Sequence, residues 1–206
     1  MARDTQSIVK MSRREGYALH PKAHKALVKR TNKPGAQGGM MSRNKPSQYS
    51  LQLREKQKVK RLYGLLEKQF SRLMAEASRK TGQSGAILLQ LLERRLDNVI
   101  YRSGLAVSRR AARQLVTHGH FMLNDHRVDV PSIRVKVGDE IVLRDKAKKN
   151  EYFKNIDDVS PAATDTVPAW LKVDRKKFKV TVTNTPSRDD AEPDINEQLI
   201  VEYYSR

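Results

Sequence analysis

Arginines at helical spacing are the residues of this chain with the clearest chemical potential. A guanidinium group is planar and permanently charged, so it grips a phosphate through two parallel hydrogen bonds and also stacks on bases. Arg109 and Arg113 are one helical turn apart and Arg110 is adjacent, so the three can follow neighbouring phosphates. Arg95 and Arg102 lie on the preceding helical segment. The pattern predicts contact with a nucleic-acid backbone, and a solvated basic face is the plainer alternative.

Two short helices followed by short strands are predicted to position these arginines. The first helix ends at Ser103 and Gly104, because glycine accepts the positive φ of a C-terminal cap. The second is capped by Ser108 and stopped by Gly119. Beyond it, apolar and polar residues alternate, with turns at 124–126 and 138–139. The stretch therefore predicts a compact unit with a strongly cationic outer face.

The charge balance of the chain also indicates a polyanionic partner. The net charge is +18 and the pI is near 10.2, and an excess of this size is most often matched by nucleic acid. Residues 1–60 contain 15 Lys and Arg against 3 Asp and Glu, whereas residues 159–206 contain 7 against 8. The first part and the centre of the chain are therefore expected to face the polyanion, and its end to serve protein neighbours.

Composition disfavours several other classes of protein. The longest apolar run, residues 86–92, has the length of a core helix and not of a membrane span. The absence of cysteine excludes disulfides and thiolate metal sites and fits a reducing cytosol. The N-terminus has no signal-like or transit-like pattern, so export and import of a nuclear-encoded product are not expected. Bacterial and plastid origins both stay open.

A second group of cations lies on a helix predicted from residue 51 to about residue 79, with a break at Gly64. Its buried stripe is predicted at Val59, Leu62, Leu66, Phe70 and Leu73. Glu55 is the one acidic residue between positions 54 and 61, against the cations Arg54, Lys56, Lys58, Lys60 and Arg61. Like charges at this density repel without a counter-surface, so RNA contact is favoured over an ordinary solvated face.

Residues 1–50 are predicted to form a basic arm that orders against RNA. Short helices are predicted at 12–20 and 21–30, and an irregular loop at 31–50. Alone, such a segment cannot bury enough apolar surface to offset its ordering entropy. A solvated flexible tail is the alternative.

The later segments combine a buried helix with extended pieces. Residues 87–92 are apolar on nearly all sides, which predicts the start of a buried helix. Residues 157–168 have the composition of a linker. After it, extended pieces at 170–171, 178–182 and 199–204 are expected either to pair with each other or to cover the N-terminal domain.

A resemblance to a known family runs along almost the whole chain. The S-four-type RNA-binding module, found in ribosomal proteins, some pseudouridine synthases and some tRNA synthetases, is similar to residues 95–144 (RLDNVIYRSGLAVSRRAARQLVTHGHFMLNDHRVDVPSIRVKVGDEIVLR). The flanks decide among these hosts. They resemble small-subunit ribosomal protein four of bacteria and plastids at residues 51–70 (LQLREKQKVKRLYGLLEKQF), 194–206 (DINEQLIVEYYSR), 11–16 (MSRREG) and 34–39 (PGAQGG).

The predicted fold class is α+β, with a mainly helical N-terminal domain and a small S-four-type RNA-binding module of two helices on a small sheet. The predicted division is a basic arm (1–50), a helical N-terminal domain (51–94) completed by the C-terminal tail, the S-four-type module (95–157), and a linker and tail with short strands (158–206).

The resemblance implies a structural role in the small ribosomal subunit and not catalysis. Members of the family bind a multi-helix junction in the 5′ domain of the small-subunit ribosomal RNA early in assembly. They contact a neighbouring protein, the fifth of the small subunit, at an interface linked to decoding accuracy, and they lie beside the channel through which mRNA enters. Some bacterial members repress translation of their own operon. The implied partners are this RNA, neighbouring ribosomal proteins and, as a further candidate, mRNA, with no membrane and no small-molecule substrate.

Some positions follow the family pattern and others depart from it. Arg43, Lys45 and Tyr49 match the family's basic loop near the mRNA channel, so RNA contact is carried over to them. No cysteine remains to hold the zinc that some members bind. Gln37 stands where the family often has histidine, so one contact is lost, and Asp125 replaces the usual glycine of the hairpin turn at some strain.

The alternative from another class is a pseudouridine synthase, which also carries this module and uses an aspartate in an Arg-Leu-Asp motif. The chain contains Arg95, Leu96 and Asp97 in that order. The enzymes continue with a threonine and a glycine where this chain has Ile100 and Arg102. Asp97 also lies at a helix start, where a carboxylate is favourable for local reasons. No separate catalytic domain is recognised, so the chain is not predicted to be an enzyme.

His118 and His120 flank Gly119 at a helix end, where they are expected to hydrogen-bond to RNA or stack on it, or to cap carbonyls. His20 and His24 are four apart, but no further ligand stands nearby and structural zinc needs four, so no metal or cofactor is predicted.

Replacing the three arginines of the second helix together by alanine is expected to weaken RNA binding without unfolding the chain. The full set of predicted RNA-binding residues is Arg13, Arg14, Lys33, Arg43, Lys45, Tyr49, Arg54, Lys56, Lys58, Lys60, Arg61, Arg95, Arg102, Arg109, Arg110, Arg113, Gln114, His118 and His120.

Overall fold

The computed structural model describes residues 5–30, 32–35, 45–160 and 167–205. The chain divides into an N-terminal unit, Met1–Leu88 with Pro193–Arg206, and a central unit, Leu89–Glu192. The combination of helices with an antiparallel sheet confirms the predicted α+β class. The division differs from the predicted boundaries, because the central unit continues to residue 192.

The secondary structure elements follow one another in a mainly helical order. The helices are α1 (Ile8–Glu15), α2 (His24–Lys29), α3 (Gln48–Leu62), α4 (Glu67–Arg79), α5 (Ser84–Glu93), α6 (Leu96–Arg102), α7 (Arg109–Thr117), α8 (Asp145–Lys148), α9 (Glu151–Lys154), α10 (Ile156–Val159) and α11 (Glu197–Tyr204). The strands are β1 (Phe121–Leu123), β2 (His126–Val128), β3 (Glu140–Leu143), β4 (Leu171–Asp174) and β5 (Lys179–Val182). Within the described part of the chain, none of the helices has both the length and the apolar character needed to cross a membrane.

The described parts of the basic arm form short helices whose limits differ from the prediction. α1 starts and ends earlier than the predicted helix at 12–20. It ends at Glu15 because Gly16 takes a φ of +65°. A 3-10 turn (Pro21–Ala23) and α2 occupy the segment predicted at 21–30. α3 begins inside the segment predicted as an irregular loop, where the Ser47 hydroxyl accepts a hydrogen bond from Ser50 N at 3.2 Å.

The long helix predicted over residues 51–79 is broken at Gly64, as predicted, into α3 and α4. Gly64 has a φ of +66°. The apolar stripe continues across the break, with buried side chains at Val59, Leu62, Phe70 and Leu73. Leu66 is only half-buried, because the chain turns here and Leu65, 1% exposed, is buried instead.

The last segment of the chain is helical, so the extended conformation predicted for it is wrong. α11 begins after Asn196, whose side-chain oxygen accepts a hydrogen bond from Leu199 N at 3.4 Å. The helix packs on α3, with Ile200 fully buried and with Gln52 Nε2 donating to Glu202 Oε2 at 2.8 Å. The β-branched and aromatic residues of the segment favour a strand locally, but packing against α3 outweighs that weak preference.

In the central unit, α6 and α7 pack against an antiparallel sheet in the order β2-β1-β3-β5-β4. Its core takes fully buried side chains from both helices and from the sheet, among them Ile100, Val116, Phe121, Ile141 and Val180. The predicted helix limits are confirmed. Ser108 Oγ accepts a hydrogen bond from Ala111 N at 3.2 Å, and Gly104 and Gly119 have φ of +73° and +68°.

The sheet is larger than predicted because β4 and β5 join it. β5 pairs with β4, which is one of the two predicted alternatives, and it also pairs with β3, where Ile141 stands opposite Val180. Without β5, β3 would present unpaired backbone groups at a sheet edge. Trp170, just before β4, is 2% exposed and belongs to the same core.

The hairpin turn between β1 and β2 is confirmed. Asn124 and Asp125 have φ of +48° and +65°, the two positive angles that a two-residue hairpin requires. Asn124 Oδ1 accepts a hydrogen bond from Glu140 N, and Asn124 Nδ2 donates to Asp139 Oδ1, both at 2.9 Å. The hairpin is thereby tied to the start of β3.

Candidate nucleic-acid interface

Four of the predicted contact arginines in and just before α6 and α7 take part in ion pairs within the central unit. Arg95, just before α6, is 4% exposed, and its Nε and Nη2 donate to the two carboxylate oxygens of Asp97 at 3.1 and 2.8 Å. Arg113 Nη1 lies 3.7 Å from the same carboxylate. Burial lowers the pKa of Arg113, although the charge of Asp97 opposes this change. One buried acid therefore binds two arginines.

A second buried acid, Glu93 at the end of α5, binds Arg102. Arg102 Nε and Nη2 lie 3.1 and 2.9 Å from the carboxylate oxygens of Glu93, whose side chain is 0% exposed. Asn98 Nδ2 donates to the same carboxylate at 2.8 Å. The buried charge is therefore both paired and hydrogen-bonded, as a charge in a protein interior must be.

Arg109 is paired with an acid from the far end of the unit. Its Nη2 lies 3.0 Å from Glu192 Oε1, its Nε donates to Asn98 Oδ1 at 2.9 Å, and its guanidinium lies 4.6 Å from the centre of the Tyr101 ring. Glu192 also lies 3.6 Å from Arg102. Burial raises the pKa of Glu192, but the charges of Arg109 and Arg102 outweigh it, so this pKa is lowered overall.

These ion pairs correct the predicted cationic outer face. Placement on an outer surface is wrong for Arg95, and the side chains of Arg102, Arg109 and Arg113 keep only 15, 11 and 15% of their surface exposed. Glu192 was not recognised as a partner because it lies 83 residues after Arg109. Asp97 and Glu93 lie only two and nine residues from Arg95 and Arg102, but their burial depends on the fold. Alanine at 109, 110 and 113 together therefore also removes buried ion pairs, and we no longer expect the fold to be unaffected.

One row of predicted contacts on α7 does face solvent. Arg110, Gln114 and His118 recur every four residues and are all exposed, so they lie along one side of the helix. A guanidinium, an amide and an imidazole provide hydrogen bonds suited to phosphates, 2′-hydroxyls and base edges. We call these three residues the α7 row.

Glu67, the first residue of α4, binds two of the lysines predicted to contact RNA. Lys56 Nζ and Lys60 Nζ lie 2.8 and 3.1 Å from its carboxylate oxygens. The Tyr204 hydroxyl donates to Glu67 at 2.8 Å, and burial together with this carboxylate raises the pKa of Tyr204. Lys56 Nζ lies 4.4 Å from the centre of the Tyr203 ring, and its side chain is 4% exposed. Lys56 is therefore a buried residue of the N-terminal unit and does not belong to a solvated outer face.

The other cations of α3 also have acidic partners. Arg54 and Arg61 both bind Glu15 of α1, whose side chain is 0% exposed. Burial raises the pKa of Glu15, although the two arginines act to lower it. Lys58 pairs with Glu55 at 2.8 Å. The argument that Glu55 alone offsets five cations is therefore wrong, because α1 and α4 supply two further carboxylates.

Two candidates for other chemistry have structural roles. Asp97 is 4% exposed, is held by Arg95 and accepts a hydrogen bond from Asn98 N at 3.0 Å. His20 Nδ1 accepts a hydrogen bond from Lys22 N at 3.0 Å and starts the 3-10 turn. The described residues bring together no group of three or more side chains that could hold a metal ion.

Comparison with known proteins identifies the family. Residues 3–93 match the family model described as the ribosomal protein S4/S9 N-terminal domain, and residues 94–141 match the S4 domain. The small ribosomal subunit protein uS4 of Herpetosiphon aurantiacus is 48% identical over 211 residues, and uS4A of Symbiobacterium thermophilum is 48% identical over 212 residues, with all of each chain covered.

The chain belongs to the uS4 family. This confirms the resemblance found in the sequence, and it excludes the pseudouridine synthase, because the uS4 family is not enzymatic.

In this uS4 family member, several predicted contacts of the arm are exposed, namely Arg14, Lys33 and Lys45. Arg13 is half-buried and its Nη2 donates to Asn32 O at 2.8 Å. Tyr49 is 49% exposed, with its ring centre 5.8 Å from that of Tyr203. Arg43 lies outside the described residues.

A cleft of the central unit beside the end of α7 was not predicted from the sequence. His118 and His120 line it together with Arg144 and Lys146, and its volume is about 220 Å³. Neither cation of this pair was among the predicted contacts. The available signal was the run of Lys and Arg in RDKAKK at residues 144–149, whose closeness to the histidines depends on the fold.

Proposed function

We propose that this chain is a structural component of the small ribosomal subunit that binds small-subunit ribosomal RNA in the bacterial cytoplasm. The observation that carries the proposal is the similarity to uS4 proteins over the whole chain, 48% identical to the Herpetosiphon aurantiacus protein. The net charge of +18 supports it, because an excess of this size is most often matched by nucleic acid.

We assign RNA contact first to the α7 row, Arg110, Gln114 and His118. A-form RNA hides its base edges in a deep, narrow groove, so proteins read its shape, phosphates, 2′-hydroxyls and unpaired bases. The α7 row is exposed along one side of a helix, and its side chains are of the types that bind those groups.

The ion-paired arginines form a second, pre-organised part of the proposed RNA-binding surface. Arg95, Arg102, Arg109 and Arg113 are matched by three carboxylates, Glu93, Asp97 and Glu192. The network therefore keeps a surplus of positive charge while its side chains are held in fixed positions. Side chains fixed before binding lose less conformational entropy on contact with RNA. Arg95 is buried and belongs to the support of this surface.

The finer role is proposed from the family resemblance. The chain binds a multi-helix junction in the 5′ domain of the RNA early in assembly, and it contributes to decoding accuracy together with the fifth protein of the small subunit. The exposed residues Lys45 and Tyr49 lie beside the channel through which mRNA enters, and the chain represses translation of its own operon.

Sedimentation and RNA titration test the proposal. The tagged chain is expected to stay with small subunits after a high-salt wash. With roughly ten phosphates neutralised, affinity for small-subunit RNA is expected to fall by about 10³–10⁵ between 50 and 200 mM salt. A chain that leaves the subunit, or an affinity that does not depend on salt, would contradict the proposal.

A further inference from the structure

A cationic cleft in the central unit is lined by His118 of the α7 row and by six residues outside that row. We call it the histidine cleft, and it is lined by His118, Gly119, His120, Arg144, Lys146, Ala147 and Asn150. It forms where α7 and β3 end and where α8 and α9 begin. Its volume of about 220 Å³ is below the roughly 300–1,000 Å³ of sites for drug-sized ligands, so it suits one small group.

Two guanidinium groups approach the loop at Gly119. Arg144 N donates to His120 O at 2.9 Å, and Arg144 Nη1 donates to Gly119 O at 3.0 Å. A Cβ at Gly119 would lie 2.8 Å from Nε and 2.9 Å from Nη2 of Arg127. Since Gly119 also has a φ of +68°, glycine is what allows Arg127 to come so close.

The charge of the cleft is not matched by acids of its own lining. Arg144 and Lys146 are cationic, the two histidines can carry charge, and Asn150 is neutral. No carboxylate is present among the described residues that line it. Asp145 is adjacent in sequence, but its carboxylate pairs with Lys148 at 2.8 Å. This contrasts with Arg102, Arg109 and Arg113, whose charges are paired with Glu93, Glu192 and Asp97.

We propose that the histidine cleft binds one phosphate group of the RNA backbone. The inference rests on the proposed RNA-binding function and adds a specific site to it. The Lys146 ammonium and the Arg144 guanidinium form charge-assisted hydrogen bonds to phosphate oxygens, and the imidazoles and the Asn150 amide supply further donors. A phosphate is favoured over a base, because the described lining combines an arginine and a lysine with no carboxylate, which suits an anionic group.

Occupation of the cleft also changes the protonation of His120. In the free chain, burial lowers the pKa of His120, and His118 and Arg144 lower it further. These two residues and Lys146 are the titratable or charged groups that surround it in the cleft. A phosphate beside the imidazole raises its pKa again, so binding takes up protons. RNA affinity is therefore expected to rise as the pH falls from about 8 to about 6.

Lys146→Ala tests the site without disturbing the core, because Lys146 is exposed. Its affinity for small-subunit RNA is expected to fall about tenfold to a hundredfold, the value of one charge-assisted hydrogen bond. The slope of log K against log salt is expected to decrease in magnitude by about 0.7–0.9. Lys149→Ala is the matched control, since it removes the same charge just after α8, outside the cleft lining. The RNA affinity of Lys149→Ala is expected to stay within about threefold of that of the unsubstituted chain.

The outcomes separate this inference from the function on which it rests. If the unsubstituted chain does not bind the RNA, the proposed function is wrong. If it binds, but Lys146→Ala and Lys149→Ala have the same affinity and salt slope, the cleft is refuted and the proposed function stands.

Inorganic phosphate distinguishes the source of the phosphate group. The full chain is titrated with inorganic phosphate and then with RNA, while the imidazole NMR signals of His118 and His120 are followed. Shifts produced by both ligands and reduced in Lys146→Ala support a backbone phosphate in the cleft. Shifts produced by inorganic phosphate alone assign the site to the free ion and overturn the RNA assignment. The absence of shifts with either ligand also overturns it.

Discussion

Neighbouring arginines of α7 are expected to respond to substitution in opposite ways. Arg109 is paired with Glu192 and hydrogen-bonded to Asn98 inside the central unit, whereas Arg110 is exposed in the α7 row. We expect Arg109→Ala mainly to destabilise the unit. We expect Arg110→Ala mainly to weaken RNA binding.

The magnitude for Arg109→Ala follows from the groups that lose contact. Breaking a buried ion pair costs about 3–5 kcal/mol. Glu192 is 22% exposed and retains Arg102 at 3.6 Å, so the free-energy cost of leaving its carboxylate without Arg109 is smaller. A charged hydrogen bond contributes about 1.5–3 kcal/mol, and the lost contact with the Tyr101 ring about 0.5–1 kcal/mol. The free energy of unfolding is expected to fall by about 2–4 kcal/mol. For the exposed Arg110 the fall is at most about 1 kcal/mol.

Trp170 makes the measurement specific to the central unit. It is the single tryptophan of the chain, lies within that unit and is 2% exposed. Its fluorescence during urea unfolding therefore reports the unit that contains both arginines, and RNA titration is done on the same preparations below the transition. Arg110→Ala is expected to weaken RNA binding about tenfold or more, through the loss of one charged contact.

Equal stability losses in the two variants would refute this reasoning, because the pair with Glu192 would then stabilise the unit no more than the contacts of the exposed Arg110 do. An Arg109→Ala variant as stable as the unsubstituted chain would refute it too. An unchanged RNA affinity in Arg110→Ala would contradict the proposed RNA contact of the α7 row, but not the expected loss of stability in Arg109→Ala.

Three further substitutions test other parts of the structure. Glu192→Gln is expected to lower the free energy of unfolding at neutral pH. In an acid titration, the difference in this free energy between the variant and the unsubstituted chain is expected to shrink below about pH 4.5. The folded-state pKa of Glu192 is lowered from 4.5, so the stabilisation by its charge is present above that value and is lost as the pH falls through the lowered pKa. Gly119→Ala is expected to destabilise the chain by about 1–2 kcal/mol in urea unfolding and to weaken RNA binding in titration, because the new Cβ meets the Arg127 guanidinium at a positive φ. Asp97→Asn is expected to lower the free energy of unfolding by about 3–5 kcal/mol in the same assay, since Arg95 is buried and loses its charged partner. In a separate activity assay, the unsubstituted chain is expected to show no uridine isomerisation.

Each of these has a result that would contradict it. For Glu192→Gln it is a stability difference that widens in acid. Gly138→Ala is the control for Gly119→Ala, because Gly138 has a φ of +90° with no neighbouring atom within 4 Å of a new Cβ. It is expected to lose stability and keep its RNA affinity. Equal RNA affinities in the two glycine variants would show that displacing the Arg127 guanidinium does not affect RNA binding. Uridine isomerisation that disappears in Asp97→Asn would overturn the structural role of Asp97.

Local sequence determined the limits of several elements of this protein. The Ser108 cap, the break at Gly64 and the turn at Asn124 and Asp125 were all predicted and are all present. These features depend on the conformations open to single residues and on hydrogen bonds to neighbours a few positions away. The charge excess and the family resemblance were likewise readable from the order of residues, and they set the expectation of RNA binding.

Tertiary structure alone decided which cations are available at a surface. Glu192 reaches Arg109 across 83 residues and Glu15 reaches Arg61 across 46, and no local pattern marks such pairs. The same holds for the helical form of α11, the pairing of β5 with β3, and the meeting of two histidines with Arg144 in one cleft. All of them follow from packing between distant segments, because the free energy of a buried charge or a paired strand depends on groups that sequence order does not bring together.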